Sequence, residues 1–156
     1  MVKYFYTISL VFLLISCNSD TVHQIYFDVE KQVLYSCNES PLKNISIESD
    51  SISKEGFPIN ESMMLVWNNN QKSPPLEISF KKIPVYYTYT KGGIKRNIKY
   101  FNLKPNCSYF IEKWGGGKKS FIVKIWTDSL RNIYKTTHKD CGSKSTLGNI
   151  EAPAPQ

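Results

Sequence analysis

Residues 108–127 read SYFIEKWGGGKKSFIVKIWT. Phe121, Val123 and Ile125 alternate with Ile122, Lys124 and Trp126, a period of two and not of 3.6. Ser108 to Trp114 is similarly rich in aromatic and β-branched residues, which suit a pleated surface better than a helix. The GGGKK between the two runs supplies the backbone freedom of a tight connection, so the stretch predicts a β-hairpin. A phosphate-binding loop is excluded, because the full glycine-to-lysine spacing, the following serine or threonine and a helix are all missing.

Working outward, the same period recurs. In VYYTYTKGGIKRNIKYFNL, Val85, Tyr87 and Tyr89 share one face, and Ile94, Arg96, Ile98 and Tyr100 share a face of the next strand. Gly92 and Gly93 connect them in a second predicted hairpin. Leu76, Ile78 and Phe80 alternate with polar neighbours until Pro84 interrupts, as on a bent or edge strand. Met63, Leu65 and Trp67 share a face, as do Ile45 and Ile47. Shorter strand signals lie at 25–29, 32–37 and 133–137. Asn68 to Pro75 reads as a loop from its turn-forming residues. Many short alternating strands joined by Gly, Pro and Asn predict an all-β sandwich or barrel. A sandwich gives every strand one buried face.

Two motifs carry a resemblance. Leu103-Lys104-Pro105-Asn106-Cys107-Ser108-Tyr109 has the spacing LxPxxxY and resembles the tyrosine corner of fibronectin type III-like, immunoglobulin-like domains. The resemblance implies a buried Leu103 and a Tyr109 hydroxyl bonded back to the chain before its own strand. LVWNNNQKSPP resembles the second strand of that family and would make Trp67 a core residue between the sheets. The expected fold is a single immunoglobulin-like β-sandwich. Other small sandwiches and a transthyretin-like arrangement fit the same alternation.

The chain start makes a different point. Lys3 precedes an apolar run from Tyr4 to Ser16, too short for a bilayer span, which needs about 20 residues. It ends in Leu14-Ile15-Ser16-Cys17, which resembles the lipobox of bacterial lipoproteins. The resemblance implies cleavage before Cys17, lipidation of its sulfur and usually acylation of the new amine. Asn18 behind it implies sorting toward the outer membrane of a Gram-negative cell. The expected organisation is a signal peptide over 1–16, a lipidated cysteine with tether and extension over 17–39, a sandwich over 40–141 and a flexible tail over 142–156.

The chain carries 20 basic and 13 acidic residues, a net charge of +7. The lysines are dispersed. Such a surface suits anionic lipid heads, an acidic glycan or an acidic protein, and equally a solvated face. Nucleic acid is a poor partner for an exported lipoprotein. Of four cysteines, three lie beyond the anchor, and an exported chain can oxidise them. The preferred pair is Cys107 with Cys141; Cys37 with Cys141 would instead tie the two ends of the domain together. No CxxC occurs, and His138 with Cys141 is too little for a metal site.

Catalytic residues are scarce. The chain has only His23 and His138, and no carboxylate pair among Glu48, Asp50 and Glu77 carries a groove signature. The expectation is therefore a non-catalytic, membrane-anchored envelope lipoprotein without metal or cofactor. It would act as a protein-interaction or accessory module. The alternative is a carbohydrate- or anionic-ligand-binding module. The expected binding face is the outer side of the 85–101 hairpin, with Tyr86, Lys95, Lys99 and Phe101 together.

Overall fold

The computed structural model describes residues 23–142, apart from 57–58, 60, 92–93, 97–98 and 117. Cys17 and the apolar run before it lie outside the described residues, as does most of the C-terminal tail. Ten strands and no helix are found among the described residues: β1 (Ile25–Asp28), β2 (Val33–Ser36), β3 (Asn44–Ser49), β4 (Ser62–Trp67), β5 (Glu77–Ser79), β6 (Tyr87–Lys91), β7 (Ile94–Arg96), β8 (Ser108–Gly115), β9 (Lys118–Thr127) and β10 (Ile133–Thr136). They form a three-stranded sheet, β1-β2-β5, and a seven-stranded sheet, β10-β9-β8-β3-β4-β6-β7.

The 108–127 stretch is the hairpin its alternation predicts. Tyr109 faces Ile125 and Ile111 faces Val123 in the antiparallel β8–β9 ladder. Gly115 and Gly116 both take positive φ in the connection, where a side chain would be strained. The inner face of the large sheet continues across the ladders. Ile111 lies beside Ile47, which lies beside Met63; Ile45 lies beside Leu65, which lies beside Tyr89. All these side chains are buried, whereas Met64 between Met63 and Leu65 is exposed. Both sheets contribute to one hydrophobic core.

β1 and β2 belong to that core. Ile25, Phe27 and Leu34 are fully buried, so the segment 25–36 is an integral part of the domain and not an extension ahead of residue 40. The Phe27 and Phe80 rings meet edge to face at 5.0 Å. Gln32, at φ 58°, turns the chain between β1 and β2. Its side-chain amide accepts from Ile133 N at 2.9 Å and donates to Ile133 O at 2.7 Å. The amide thus stands in for a strand backbone and joins the small sheet to the start of β10.

The LxPxxxY motif behaves as the resemblance implies. Leu103 is buried and Tyr109 is completely enclosed. The Lys104 amide donates to the Tyr109 hydroxyl oxygen at 2.8 Å, and that hydroxyl donates to Glu61 Oε2 at 3.1 Å.

Three expectations are corrected. Trp67 is half-buried at the end of β4, packed against the core without being enclosed by it. Its indole N–H needs an acceptor, and the surface turn after β4 supplies two, Asn69 O at 3.0 Å and Lys72 O at 2.9 Å. Val85 is exposed, because it precedes β6 in the turn after Pro84, where strand alternation does not yet apply. The disulfide joins Cys37 to Cys141, with Cα atoms 5.7 Å apart, and Cys107 is a buried free thiol. The antiparallel ladders explain the pairing. Cys107 sits opposite Thr127, at the end of β9, whereas the chain from β10 to Cys141 runs back along β9, receding from Cys107 by about 3.3 Å per residue. Gln24 completes the junction: its backbone carbonyl accepts from Cys37 N at 2.9 Å, and its side chain donates to Cys141 O at 2.5 Å.

Candidate functional site

The four residues expected to form one binding face are not brought together. Tyr86 lies at the Trp67 end of the sheet, with its ring 5.5 Å from the Trp67 ring and Lys72 Nζ 5.1 Å above it. Lys95 pairs with Thr90 at the other end of β6. Lys99 lies beyond β7 in an exposed bend. Phe101 turns inward, its ring 4.3 Å from that of Phe80. Lys99 and Phe101 lie outside β7, so the expected polar-side register does not include them.

A different site is assembled by the chain that follows. A cavity of about 530 Å³ is lined by Glu61, Tyr89, Tyr100, Phe101, Lys104 and Arg131, among others. A second, of about 250 Å³, shares Tyr100, Phe101, Leu103 and Arg131 with it and adds Lys81 and Gln32. The two cavities adjoin at these four residues in one groove region, and the larger is of a size ordinary for small-ligand sites.

Each wall has a local cause. Phe101 is held by its contact with Phe80 and by its amide, which donates to Phe80 O at 3.1 Å. Tyr100, next to it, is 60% exposed and leaves a ring face open to solvent. Arg131 comes from a turn built on Asp128, whose Oδ1 accepts from both Leu130 N and Asn132 N at 2.8 Å. Arg131 takes φ 69°, an uncommon conformation for a non-glycine residue, of a kind that clusters at binding and catalytic sites. Its guanidinium, exposed at the surface, donates to Asn102 Oδ1 at 2.7 Å. Glu61 is buried on the groove wall, held by the Tyr109 hydroxyl and by Lys104 Nζ at 3.9 Å. The tyrosine corner therefore positions this carboxylate as well as the crossover. Lys81, Lys104 and Arg131 stand against Glu61, so the lining is aromatic and net cationic.

Sequence reading did not find this site. Tyr100, Arg131 and Glu61 come from three separate connections, and only folding brings them together. The one available signal was the LxPxxxY motif, which placed Leu103 to Tyr109 at a crossover without naming what it faces.

Lys113 was also missed. It occupies an inner-face position between Ile45 and Phe121 in the ladders and is 1% exposed. Its ammonium donates to Ser36 Oγ at 2.7 Å and Ser40 O at 2.6 Å, next to Cys37. Burial pulls its pKa down to about 8. Between pH 8 and its unfolded value near 10.5, the unfolded chain holds the proton that the folded chain has lost. Stability should therefore rise over that window, until ionisation of tyrosines opposes it. Burial raises the Tyr87 and Tyr109 pKa values, so those two resist ionisation while folded. Urea midpoints at pH 7.5 and 9.5 test this. Lys113→Met should flatten the rise, and an equal rise in the variant refutes the assignment.

Neither histidine forms a catalytic pair here. His138 is 2% exposed, bonds Thr137 Oγ1 through Nδ1 at 2.8 Å and packs edge-on against Phe121. Burial lowers its pKa, with Asp140 partly opposing. His23 Nε2 meets Gly115 O at 2.9 Å. Among the described residues, no group of three or more His, Cys, Asp or Glu side chains could hold a metal ion, and no helix is long and apolar enough to cross a membrane. No protein-family model, curated protein or solved structure matches the chain.

Proposed function

We propose that this chain is a non-catalytic binding module of the bacterial envelope, lipid-anchored through Cys17 at the outer membrane, and that it binds through the Tyr100–Arg131 groove. The observation that carries the reading is the lining of the larger cavity: an exposed tyrosine, a guanidinium bonded to Asn102 and one lysine with one buried carboxylate, and a second lysine in the adjoining cavity. Such a mixture suits polar ligands, by stacking and hydrogen bonding. An accessory role based on the 85–101 hairpin is less favoured, because Tyr86 and Lys95 lie at opposite ends of β6 and Phe101 packs on Phe80. The ligand-binding alternative takes its place.

The scaffold in this reading is immunoglobulin-like. The neighbour orders β1-β2-β5 and β3-β8-β9 support this, since they would match strands A-B-E and C-F-G of that sandwich, which makes β2 and not the LVWNNNQKSPP stretch the second strand. The tyrosine corner then stands at the start of strand F, its place in the family. β6 and β7 would be an addition at the edge of the second sheet, and the groove would lie beside the E–F crossover.

Detergent-extracted full-length chain, immobilised and challenged with solubilised envelope polysaccharide, tests the site. Tyr100→Ser with Arg131→Gln should reduce retention by roughly tenfold, the scale of losing one charge-assisted contact and one stacked ring. Lys95→Glu with Lys99→Glu should retain the ligand. The reverse pattern would return the function to the hairpin.

A further inference from the structure

We infer that the groove is built for an acidic saccharide whose charge is a carboxylate, a uronic acid-containing glycan, with Arg131 as the carboxylate-reading residue. This rests on the groove being the working site.

Three features select that chemistry. The exposed Tyr100 ring, beside the inward-packed Phe101, offers a flat apolar platform of the kind that stacks on the C–H face of a sugar ring. Arg131 is held at one nitrogen by Asn102, and a guanidinium carries five N–H donors in a planar fork, a geometry that matches a carboxylate bidentately. Lys104 lines the same cavity and Lys81 the adjoining one, so the positive field extends beyond Arg131 and suits an oligomer with repeating charge better than a single ion.

Glu61 supplies the discrimination. It is a buried carboxylate on the wall of the larger cavity, already engaged by Tyr109 and Lys104. An ionised carboxylate only accepts hydrogen bonds, so it favours ligand hydroxyls and repels a second anion placed against it. Sulfate brings concentrated charge and no donor. A uronate brings one spread charge for Arg131 and hydroxyl donors for Glu61. The pairing of a fixed cation with a fixed acceptor suits that ligand and penalises a bare oxyanion.

Titration calorimetry of the full-length chain in detergent, with a short galacturonate oligomer, its carboxyl-reduced neutral counterpart and inorganic sulfate, tests the inference. The uronate oligomer should bind, with roughly tenfold or greater loss on carboxyl reduction, and weaken as salt rises. Arg131→Gln should remove most of the difference between the two oligomers, leaving the part due to the lysines, and Arg131→Lys should restore only part of it, because an ammonium keeps the charge but not the fork. Tyr100→Ser should weaken both oligomers alike. An unchanged denaturation midpoint shows that each variant is folded. Equal affinity for the neutral oligomer, or displacement of uronate by sulfate, overturns the carboxylate assignment while leaving the groove as the binding site. So does binding of neither oligomer, when polysaccharide retention still depends on Tyr100. If neither oligomer binds and retention is indifferent to Tyr100, both the inference and the groove reading fall.

Discussion

Replacing Tyr109 by alanine is expected to destabilise the domain by about 3–5 kcal/mol, the range for removing a buried aromatic ring. The ring is fully enclosed, beside Ile125 across the β8–β9 ladder and Ser49 across the β3–β8 ladder. Its loss opens a cavity at the crossover. The Lys104 amide also loses its acceptor, and Glu61 loses one donor. Tyr109→Phe separates the two contributions. It keeps the ring and should cost only about 1–3 kcal/mol, through the unmade hydrogen bonds. The phenylalanine variant should also weaken ligand retention more than its stability loss explains, since the Tyr109 hydroxyl helps to hold Glu61 in the groove. Urea denaturation of both variants measures the stabilities. A Tyr109→Ala midpoint equal to wild type would refute the corner's role in the core.

Opening the Cys37–Cys141 bridge is the second large effect. The two cysteines are 104 residues apart, so the bond closes nearly the whole described domain into a loop. In the chain-entropy account, a long loop gains most from closure because the unfolded ensemble loses most freedom. Cys37→Ala with Cys141→Ala should cost about 2–5 kcal/mol. The bond also fastens the segment after β10 beside β1, where Gln24 bonds Cys141 O. Its loss should release that segment first, visible as faster amide exchange around Phe27, whose N–H donates to His138 O at 3.0 Å. Cys107, 6% exposed and outside the bridge, should react with thiol reagents only on unfolding. A native-state Cys107 that reacts at once, or a bridgeless variant with an unchanged midpoint, contradicts this arrangement.

Much of the fold was legible because strand alternation is a local property. Ile45 and Ile47, Met63 and Leu65, Tyr109 and Ile111, and Val123 and Ile125 all occupy the buried face that their period implies. The failures fall where a local rule meets a long-range constraint. Val85 breaks its pattern because the strand starts after it. Trp67 is drawn to the surface by an N–H that the next turn satisfies. Lys113 sits in an apolar row because Ser36 and Ser40, from the far side of the core, satisfy its ammonium.

By itself, then, the sequence determined the all-β class, the β8–β9 hairpin and the tyrosine corner, since each is written in residues near one another along the chain. Tertiary structure alone decided the cysteine pairing, the inclusion of β1 and β2 in the core and the groove. The physical reason is sequence distance. Which strand edges meet is set by burying both sheets' apolar faces at once, a condition on the whole chain. That condition carries Cys141 back to Cys37, and it gathers Glu61, Tyr100 and Arg131 around one cavity.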